Sequence, residues 1–246
     1  DDCSSEKINL IKTKFSKFEK ITVLKLKKNL GSQKSIAIGL SYVQSLKKQF
    51  FVTVMDGDGE DQPVEILKMI NLAKKYENFV ITSNRKKRKE SFVIRFLYKL
   101  HLLITFFFTF KWISFGNFTS FHSQNIKKII FNNQSWLAHS SSVIKNCLIK
   151  RTYAKRGKRY FDSSHLKLYD LLEHSIRINS LFLNKIFLIS ILYILIINFV
   201  LENFLPKIFF ASLIILFNLI LLTIKRKHQT SYPINYKEMI KSIKSI

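Results

Sequence analysis

Four carboxylates occupy six consecutive positions of this chain, within the stretch VMDGDGEDQP at 54–63: Asp56, Asp58, Glu60 and Asp61. We call residues 56–61 the acid loop. It follows the apolar run FFVTVM, which has the pattern of a buried strand. Two aspartates one residue apart at the end of a strand can bind a hard divalent cation and leave coordination positions open for phosphate oxygens. The alternative interpretation is an acidic turn that caps the helix beginning near Pro63.

The overall charge of the chain makes the acid loop stand out. The 246 residues include 41 Lys and Arg against 16 Asp and Glu, a formal net charge of +25. Acidic groups in such a positive field are candidates for organising a cation or a polyanion. With 47% hydrophobic and 14% aromatic residues, the chain is too apolar for a disordered basic tail. We therefore predict a folded or membrane-associated protein, and we predict no nucleic-acid partner from charge alone.

Apolar periodicity predicts the elements that position the acid loop. Strands are predicted at 21–26, 50–55 and 79–83, and helices at 35–49 and 64–76. This β-α-β-α-β order is typical of a parallel sheet with helices on its faces, in which ligands bind outside the carboxyl ends of the strands. Asp56 and Asp58 follow the second predicted strand, so we expect them at such an end.

Two long uncharged segments, 186–201 and 208–224, predict a hairpin of transmembrane helices. As a helix the second spans roughly 25 Å, slightly less than the hydrocarbon core of a bilayer. A buried core hairpin is the alternative. Lys and Arg cluster on both outer flanks, while Lys207 alone lies in the connecting loop, so the positive-inside rule predicts that both ends face the cytoplasm.

These segments divide the chain into three predicted parts. They are a cytosolic domain over 1–180, two transmembrane helices over 181–227 and a basic cytosolic tail over 228–246. The expected location is the cell (inner or plasma) membrane, which the chain crosses more than once. A further aromatic stretch at 96–115 is interrupted by Lys99, His101 and Lys111, which favours an interfacial helix. A third span and a plain core helix are the alternatives.

Six segments match motifs that occur together in one family. DDCSS at 1–5 looks like a nucleotide-binding D-D-x-S motif, NLGSQKSIAIGL at 29–40 like an N-x-G-x-x-x-A-x-x-x-G-L stretch, and MDGDGEDQP at 55–63 like a D-x-D motif with its trailing proline. Arg85 and Arg88 resemble paired arginines, FGNFTSF at 115–121 a G-D-F segment, and 151–172 an R…G-K-S-K-Y region. The combination resembles glycosyltransferase family two, most closely its polyprenyl-phosphate, dolichol-phosphate mannosyltransferase-like branch.

The resemblance implies an α/β chain with the GT-A fold, a Rossmann-like and mostly parallel sheet followed by the transmembrane hairpin. Because the chain begins inside the first motif, we expect the first strand of the family to be missing, as in an N-terminally truncated fragment that could be inactive. Two residues depart from the motifs. Glu60 stands where the family often has Gln, and Asn117 replaces the Asp of G-D-F.

The resemblance also implies an activity: metal-dependent, inverting transfer of a sugar from a nucleotide-sugar to a polyprenyl (undecaprenyl or dolichyl) phosphate, in cell-wall or glycan biosynthesis. The sequence supports the phosphate acceptor independently, since no Asp or Glu occurs between Ser91 and Phe161. A hydroxyl nucleophile needs a general base near its proton. A phosphate monoester, with a second pKa of about 6, is mostly dianionic at neutral pH and needs none.

Roles for individual residues follow from the same motifs. Contacts to the nucleotide-sugar are expected from Asp1, Asp2, Ser4, Asn29, Gly31 and Asp56. Ligands for Mg²⁺ or Mn²⁺ are expected at Asp56, Asp58 and Glu60. Cations for the acceptor phosphate are expected at Arg85, Arg88, Arg151, Arg156 and Lys158. The expected catalytic residues are Asp58, Arg88 and Arg151. For the cations, the alternative is an ordinary positive surface that faces the membrane.

Two other functions remain open at this stage. The first is a family-two glycosyltransferase that acts on the hydroxyl of a glycan or lipid-linked saccharide, with a histidine or Asp162 as base; His101, His122 and His139 fit structural roles better. The second is a non-enzymatic, membrane-anchored basic adaptor, which would gain nothing from the acid loop. The expected partners are the nucleotide-sugar, the polyprenyl phosphate and the membrane, and a homo-oligomer is compatible with the sequence.

Overall fold

The computed structural model describes residues 1–5, 18–85, 92–160, 168–229 and 235–245. The strands in these ranges are β1 (Thr22–Leu26), β2 (Phe51–Val54), β3 (Phe79–Arg85), β4 (Phe115–His122), β5 (Leu148–Ala154) and β6 (Ile240–Ser245). The α-helices are α1 (Ser32–Ser45), α2 (Val64–Lys75), α3 (Phe92–Thr109), α4 (Ile126–Ile129), α5 (Gln134–Leu137), α6 (His139–Asn146), α7 (Leu168–Ser180), α8 (Leu183–Val200) and α9 (Phe204–Gln229).

The main sheet has four strands in the order β2-β4-β3-β5. Strand β4 is antiparallel to both β2 and β3, whereas β5 is parallel to β3. Three of the four strands therefore run in one direction, and their carboxyl ends share one edge of the sheet with the start of β4. Together with the long apolar helices, this mixed α/β arrangement confirms the predicted fold class.

Helices cover both faces of the main sheet. Neighbouring residues of β3 point to opposite sides, as the pleat of a strand requires: Val80 packs with α4, α5 and α6, and Ile81 packs with Met69 and Ala73 of α2. Both β3 residues are fully buried. The sheet is thus held in place between two apolar layers, which keeps its carboxyl-end edge rigid.

Strand β1 lies outside the main sheet, contrary to its expected place in the β-α-β-α-β series. It pairs antiparallel with β6, with Leu24 opposite Ile243, and the pair rests on a small core that includes Ile38 and Trp136. The segment expected to be a tail, 228–246, therefore contributes a strand that pairs with β1. Local periodicity indicates that a strand is buried but not which strand it pairs with. The sequence pattern therefore could not predict the pairing of β1 with β6.

Three helices, at 92–109, 183–200 and 204–228, are long and apolar enough to cross a membrane, which indicates membrane association. Helices α8 and α9 pack together, and Asn218 Nδ2 donates to Ser190 Oγ between them at 2.7 Å. Helix α3 packs against α8, with threonine side chains toward the protein and phenylalanine side chains facing outward. Its Thr105 and Thr109 are fully buried against the protein, while Phe96 and Phe107 are more than half exposed.

Candidate active site

The acid loop leaves the carboxyl end of β2 and is folded by its own carboxylates. Asp61 Oδ2 accepts the backbone N–H of Asp56 at 3.0 Å, and Asp58 Oδ1 accepts the backbone N–H of Glu60 at 3.0 Å. The N-cap of α2 is Pro63, which makes no side-chain hydrogen bond. The carboxylates of Asp58 and Asp61 thus bind backbone groups of the acid loop itself.

A second segment lies directly on the acid loop. Residues 155–160 (KRGKRY), which we call the basic segment, follow β5 at the same edge of the sheet. The N–H of Gly157 donates to Glu60 O, and that of Tyr160 to Asp58 O, both at 2.9 Å. Glycine is required where the two backbones meet, since a Cβ on Gly157 would lie 2.5 Å from the carbonyl oxygen of Gly59.

The basic segment neutralises two acids of the loop. Arg156 forms an ion pair with Glu60, and Arg159 Nη2 lies 3.2 Å from Asp58 Oδ2 and 3.3 Å from Glu60 Oε2. These four side chains are between about a fifth and a third exposed. Burial lowers the pKa of the Arg156 guanidinium, and the charge of Asp58 acts against that shift. Arg156, predicted to bind acceptor phosphate, is therefore a partner of Glu60 in this structure.

Asp56 is held differently, by neutral amides. Its Oδ1 accepts from Asn117 Nδ2 at 3.0 Å, and Asn117 Oδ1 accepts from Gln33 Nε2 at 3.0 Å. The backbone N–H of His139 donates to Gln33 Oε1 at 2.7 Å, and Thr119 Oγ1 lies 2.9 Å from His139 Nε2. We call this set the amide relay. Sequence reasoning missed Gln33, whose only signal was its place in the first turn after Gly31 of the N-x-G stretch.

The residues of the first two motifs meet at the start of α1. Asp2 accepts the backbone N–H groups of Leu30 and Gly31, one on each carboxylate oxygen at 2.7 Å. Asp1 Oδ1 accepts from both the N–H and the hydroxyl of Ser4, at 2.8 and 2.6 Å. Asn29 Oδ1 also accepts from Gly31 N–H at 3.2 Å. The five residues predicted around the nucleotide, apart from Asp56, thus lie where residues 1–4 meet the loop before α1. The first turn of α1, through Gln33, connects this place to the amide relay.

The match to a known family covers most of this arrangement. Residues 1–145, more than half of the 246, match the family model Glycosyl transferase family 2. The chain belongs to glycosyl transferase family 2. The matched range contains the turn at residues 1–5, the acid loop and the amide relay, and it ends before β5 and the basic segment. No curated protein is detectably similar in sequence to this glycosyltransferase.

Divalent metals are common in this family, and the carboxylates at the strand end are the donor atoms that could hold one. In the ranges that the structure describes, no group of three or more His, Cys, Asp or Glu side chains is placed to hold one metal ion. Glu60 is engaged by both arginines and Asp58 by Arg159 alone, so Asp56 and Asp58 are the carboxylates at the strand end that fit a metal ion best. Two carboxylates fit Mg²⁺ or Mn²⁺ when phosphate oxygens and water complete the coordination.

The carboxyl-end edge of the sheet also forms a pocket beside the acid loop. Its lining includes Glu60, Asp61, Ser83, Asn117, Lys155 and Arg156. These residues come from the acid loop, the end of β3, the start of β4 and the basic segment. The pocket is therefore built from the strand ends that the sequence pattern assigned to ligand binding.

Of the remaining predicted cations, the structure describes Arg151 and Lys158. Arg151, on β5, donates to Trp112 O at 2.5 Å and to Ser114 Oγ at 3.4 Å, so it contacts the connection between α3 and β4. Lys158 is exposed. The side chain of Arg85, and the whole of Arg88 and of Asp162, lie outside the described residues.

The three candidate histidine bases of the glycosyltransferase have structural surroundings. His139 is fully buried, and burial lowers its pKa to about 4. His101 Nδ1 lies 2.5 Å from the hydroxyl of Ser175, and the His122 ring packs edge-on against Phe51 at 5.3 Å. None of the three lines the pocket beside the acid loop, which agrees with their expected structural roles.

Proposed function

We propose that this glycosyltransferase transfers a sugar from a nucleotide-sugar to a polyprenyl (undecaprenyl or dolichyl) phosphate at the membrane surface, with inversion at the anomeric carbon. The observation that carries the proposal is that the carboxylates lining the pocket, Glu60 and Asp61, both belong to the acid loop. Residues 92–160, which include α3, β4, β5 and the basic segment, contain no Asp or Glu. The pocket acids therefore come from the acid loop, where arginines and amides engage them. Among residues 92–160 a hydroxyl acceptor would find no carboxylate to act as its base, and a phosphate acceptor needs none.

The donor would lie between the turn at residues 1–5 and the acid loop. Asp2 fixes the backbone of Leu30 and Gly31, so we assign this turn to the nucleotide. Asp56 and Asp58 would hold Mg²⁺ or Mn²⁺, which when bound supplies positive charge for the departing nucleoside diphosphate. For Asp58 to take part, Arg159 must leave its carboxylate.

The arginines of the basic segment would then meet phosphate oxygens. Arg156 and Arg159 already lie at the carboxylates that a diphosphate would approach, and guanidinium groups bind phosphate with paired hydrogen bonds. A dianionic lipid phosphate oxygen attacks the anomeric carbon while the bond from that carbon to the diphosphate breaks. No proton has to be removed from the nucleophile in this step, so the protein's task is to position charges.

The membrane helices support delivery of the acceptor from the bilayer. Helix α7 before the hairpin and β6 after it both pack on the soluble domain, which supports a multi-pass hairpin with both ends on one side. The charge on the outer flanks favours the cytoplasmic side of the cell (inner or plasma) membrane. We propose that the catalytic domain and the tail are cytoplasmic.

Helix α3 fits an interfacial position better than a third span. In the main sheet Asn84 of β3 lies opposite Phe115 of β4, so the chain leaves and re-enters the sheet at one point. The five residues 110–114 reach at most about 20 Å, less than the roughly 30 Å of a hydrocarbon core. A single crossing would leave the end of α3 too far from β4, whereas a helix lying in the interface would not.

A product assay tests the proposed function. The full-length protein in nanodiscs would be incubated with a panel of nucleotide-sugars and either polyprenyl phosphate or saccharide acceptors, with and without EDTA. Mass spectrometry should detect a glycosyl-phosphoryl lipid that requires Mg²⁺ or Mn²⁺. Product formed on saccharide hydroxyls alone would replace the phosphate acceptor with the alternative acceptor class.

A further inference from the structure

We propose that Gln33 and Asn117 are positioning residues for Asp56, and that the amide relay through which they act is set by the backbone of His139. The inference rests on the proposed function in one respect, namely that Asp56 meets the donor or its metal ion. The relay joins three distant parts of the chain, since Gln33 is 84 residues from Asn117 and 106 from His139.

The relay can run in only one direction. A backbone N–H can only donate, so the Gln33 atom that lies 2.7 Å from His139 N must be the acceptor Oε1. Gln33 then presents Nε2 to Asn117, and the Asn117 atom 3.0 Å away must be Oδ1. Asn117 is left with Nδ2 facing Asp56 Oδ1 at 3.0 Å. The orientation of both amides is therefore fixed by the main chain.

A second contact ties the relay together. The hydroxyl of Thr119 donates to the backbone oxygen of Asn117 at 3.2 Å. Because a hydroxyl has one hydrogen, Thr119 must accept from His139, whose Nε2 therefore carries the ring proton. Thr119 and His139 are fully buried and Gln33 is 6% exposed. Burial makes a mismatched donor or acceptor costly, which gives the relay its rigidity.

The identity of residue 117 decides what Asp56 meets. A carboxylate at this position could accept from Gln33, but its second oxygen would face Asp56 Oδ1 at about 3 Å. Two carboxylates that close cannot both stay ionised and share a proton instead. With Asn117, the Oδ1 atom of Asp56 is occupied by a neutral donor, and Oδ2 is the atom that the relay offers to a ligand.

The first test is Asn117→Leu, which keeps about the size of the side chain but removes both the acceptor for Gln33 and the donor to Asp56. We expect kcat to fall about tenfold, because Asp56 loses the group that positions it, with the KM for the lipid acceptor unchanged. An unchanged kcat, or a loss expressed only as KM, would overturn the proposal.

The second test needs no activity. Thermal unfolding would be measured for D56N, N117D and the D56N/N117D double variant without substrate. In the double variant the amide introduced at position 56 donates to the carboxylate introduced at position 117, so it should be more stable than the sum of the single changes predicts. Simple additivity would contradict the relay. Coupling in a protein that transfers no sugar to any acceptor would leave the relay intact and refute the proposed function.

The third test compares two glutamines of α1. Gln33→Glu keeps the acceptor for His139 N–H but removes the donor to Asn117, and we expect kcat to fall about three- to tenfold with the KM for lipid acceptor unchanged. Gln44→Glu is the matched control, since it lies about 16 Å along the same helix and should leave kcat unchanged. Equal effects of the two substitutions, or a loss expressed only as KM, would show that Gln33 does not act through Asp56.

Discussion

Asp56 and Asp58 are two positions apart in the acid loop, yet the fold holds their carboxylates in opposite ways. Asp56 meets a neutral amide relay in which Asn117 is half-buried and Gln33 and His139 are buried. Asp58 meets the guanidinium of Arg159, in a pair whose side chains are 29% and 35% exposed. Buried hydrogen bonds are costly to leave unsatisfied, whereas an exposed ion pair contributes only about 0–1 kcal/mol. The first contact suits a permanent geometry and the second suits exchange with a substrate.

The largest effect is expected from Asp58→Asn. Asp58 would lose the negative charge for which the divalent ion and Arg159 compete, so the rate of sugar transfer should fall on the order of 1,000-fold. Mass spectrometry of the lipid product under a titration of Mg²⁺ measures this loss. Asp170→Asn on α7 is a control that keeps the overall charge change but lies outside the acid loop. Normal metal-dependent transfer by the Asp58 variant would show that the metal assignment is wrong.

The next prediction concerns the stability of the relay at low pH. Burial lowers the pKa of His139 in the folded protein from 6.5 to about 4, so the unfolded chain takes up the proton first as pH falls. The stabilisation is therefore complete above pH 6.5 and is lost between 6.5 and 4, by at most about 3 kcal/mol. Unfolding followed by the fluorescence of buried Trp136 at several pH values would measure it.

His139→Asn supplies the matched control for that experiment. Its backbone N–H still fixes Gln33, so the position of Asp56 should be kept while the pH-dependent loss disappears. If the variant shows the same decline between pH 6.5 and 4 as wild type, another group is responsible for it.

Local structure at the site was predictable from short-range patterns. The strand ending before Asp56, the helix after Pro63 and the two apolar helices near the C-terminus follow from periodicity and hydropathy. Three pairings do not follow from these patterns: Asp56 with Asn117, Glu60 with Arg156 across 96 residues, and β1 with β6. Such contacts depend on which elements the tertiary fold brings together, and a carboxylate has the same local pattern whether an amide or an arginine meets it.

The departure at Asn117 shows the same limit. The sequence marked it as a change from the G-D-F segment but gave no partner for it, so its role stayed open. In the structure its side chain has one acceptor and one donor contact, and both are explained by the main chain of His139. Asn117 departs from the sequence motif, yet its side chain fits the hydrogen bonds that its neighbours in the structure require.

Arg159→Gln tests whether the ion pair between Asp58 and Arg159 exchanges with substrate phosphate. If this guanidinium moves from Asp58 to phosphate oxygens, its loss should weaken transfer about tenfold, mainly as a higher KM for the lipid phosphate. Lys74→Gln, exposed in the last turn of α2, controls for the change in net charge. Equal KM values for the two variants would mean that Arg159 serves only to neutralise the acid loop.

The smallest effect is expected from Glu60→Gln. This change removes the carboxylate that holds Arg156 and Arg159 over the acid loop, so both arginines should pass to phosphate more readily. The ion pairs are partly exposed, and each contributes at most about 1 kcal/mol, which corresponds to a KM for donor or acceptor lowered by roughly two- to fivefold. Steady-state kinetics at low and high salt would measure this change, and the difference should shrink at high salt because screening weakens the pairs in wild type. A loss of transfer as deep as that of Asp58→Asn would instead make Glu60 a required ligand, and the two acids would then have to act as one group.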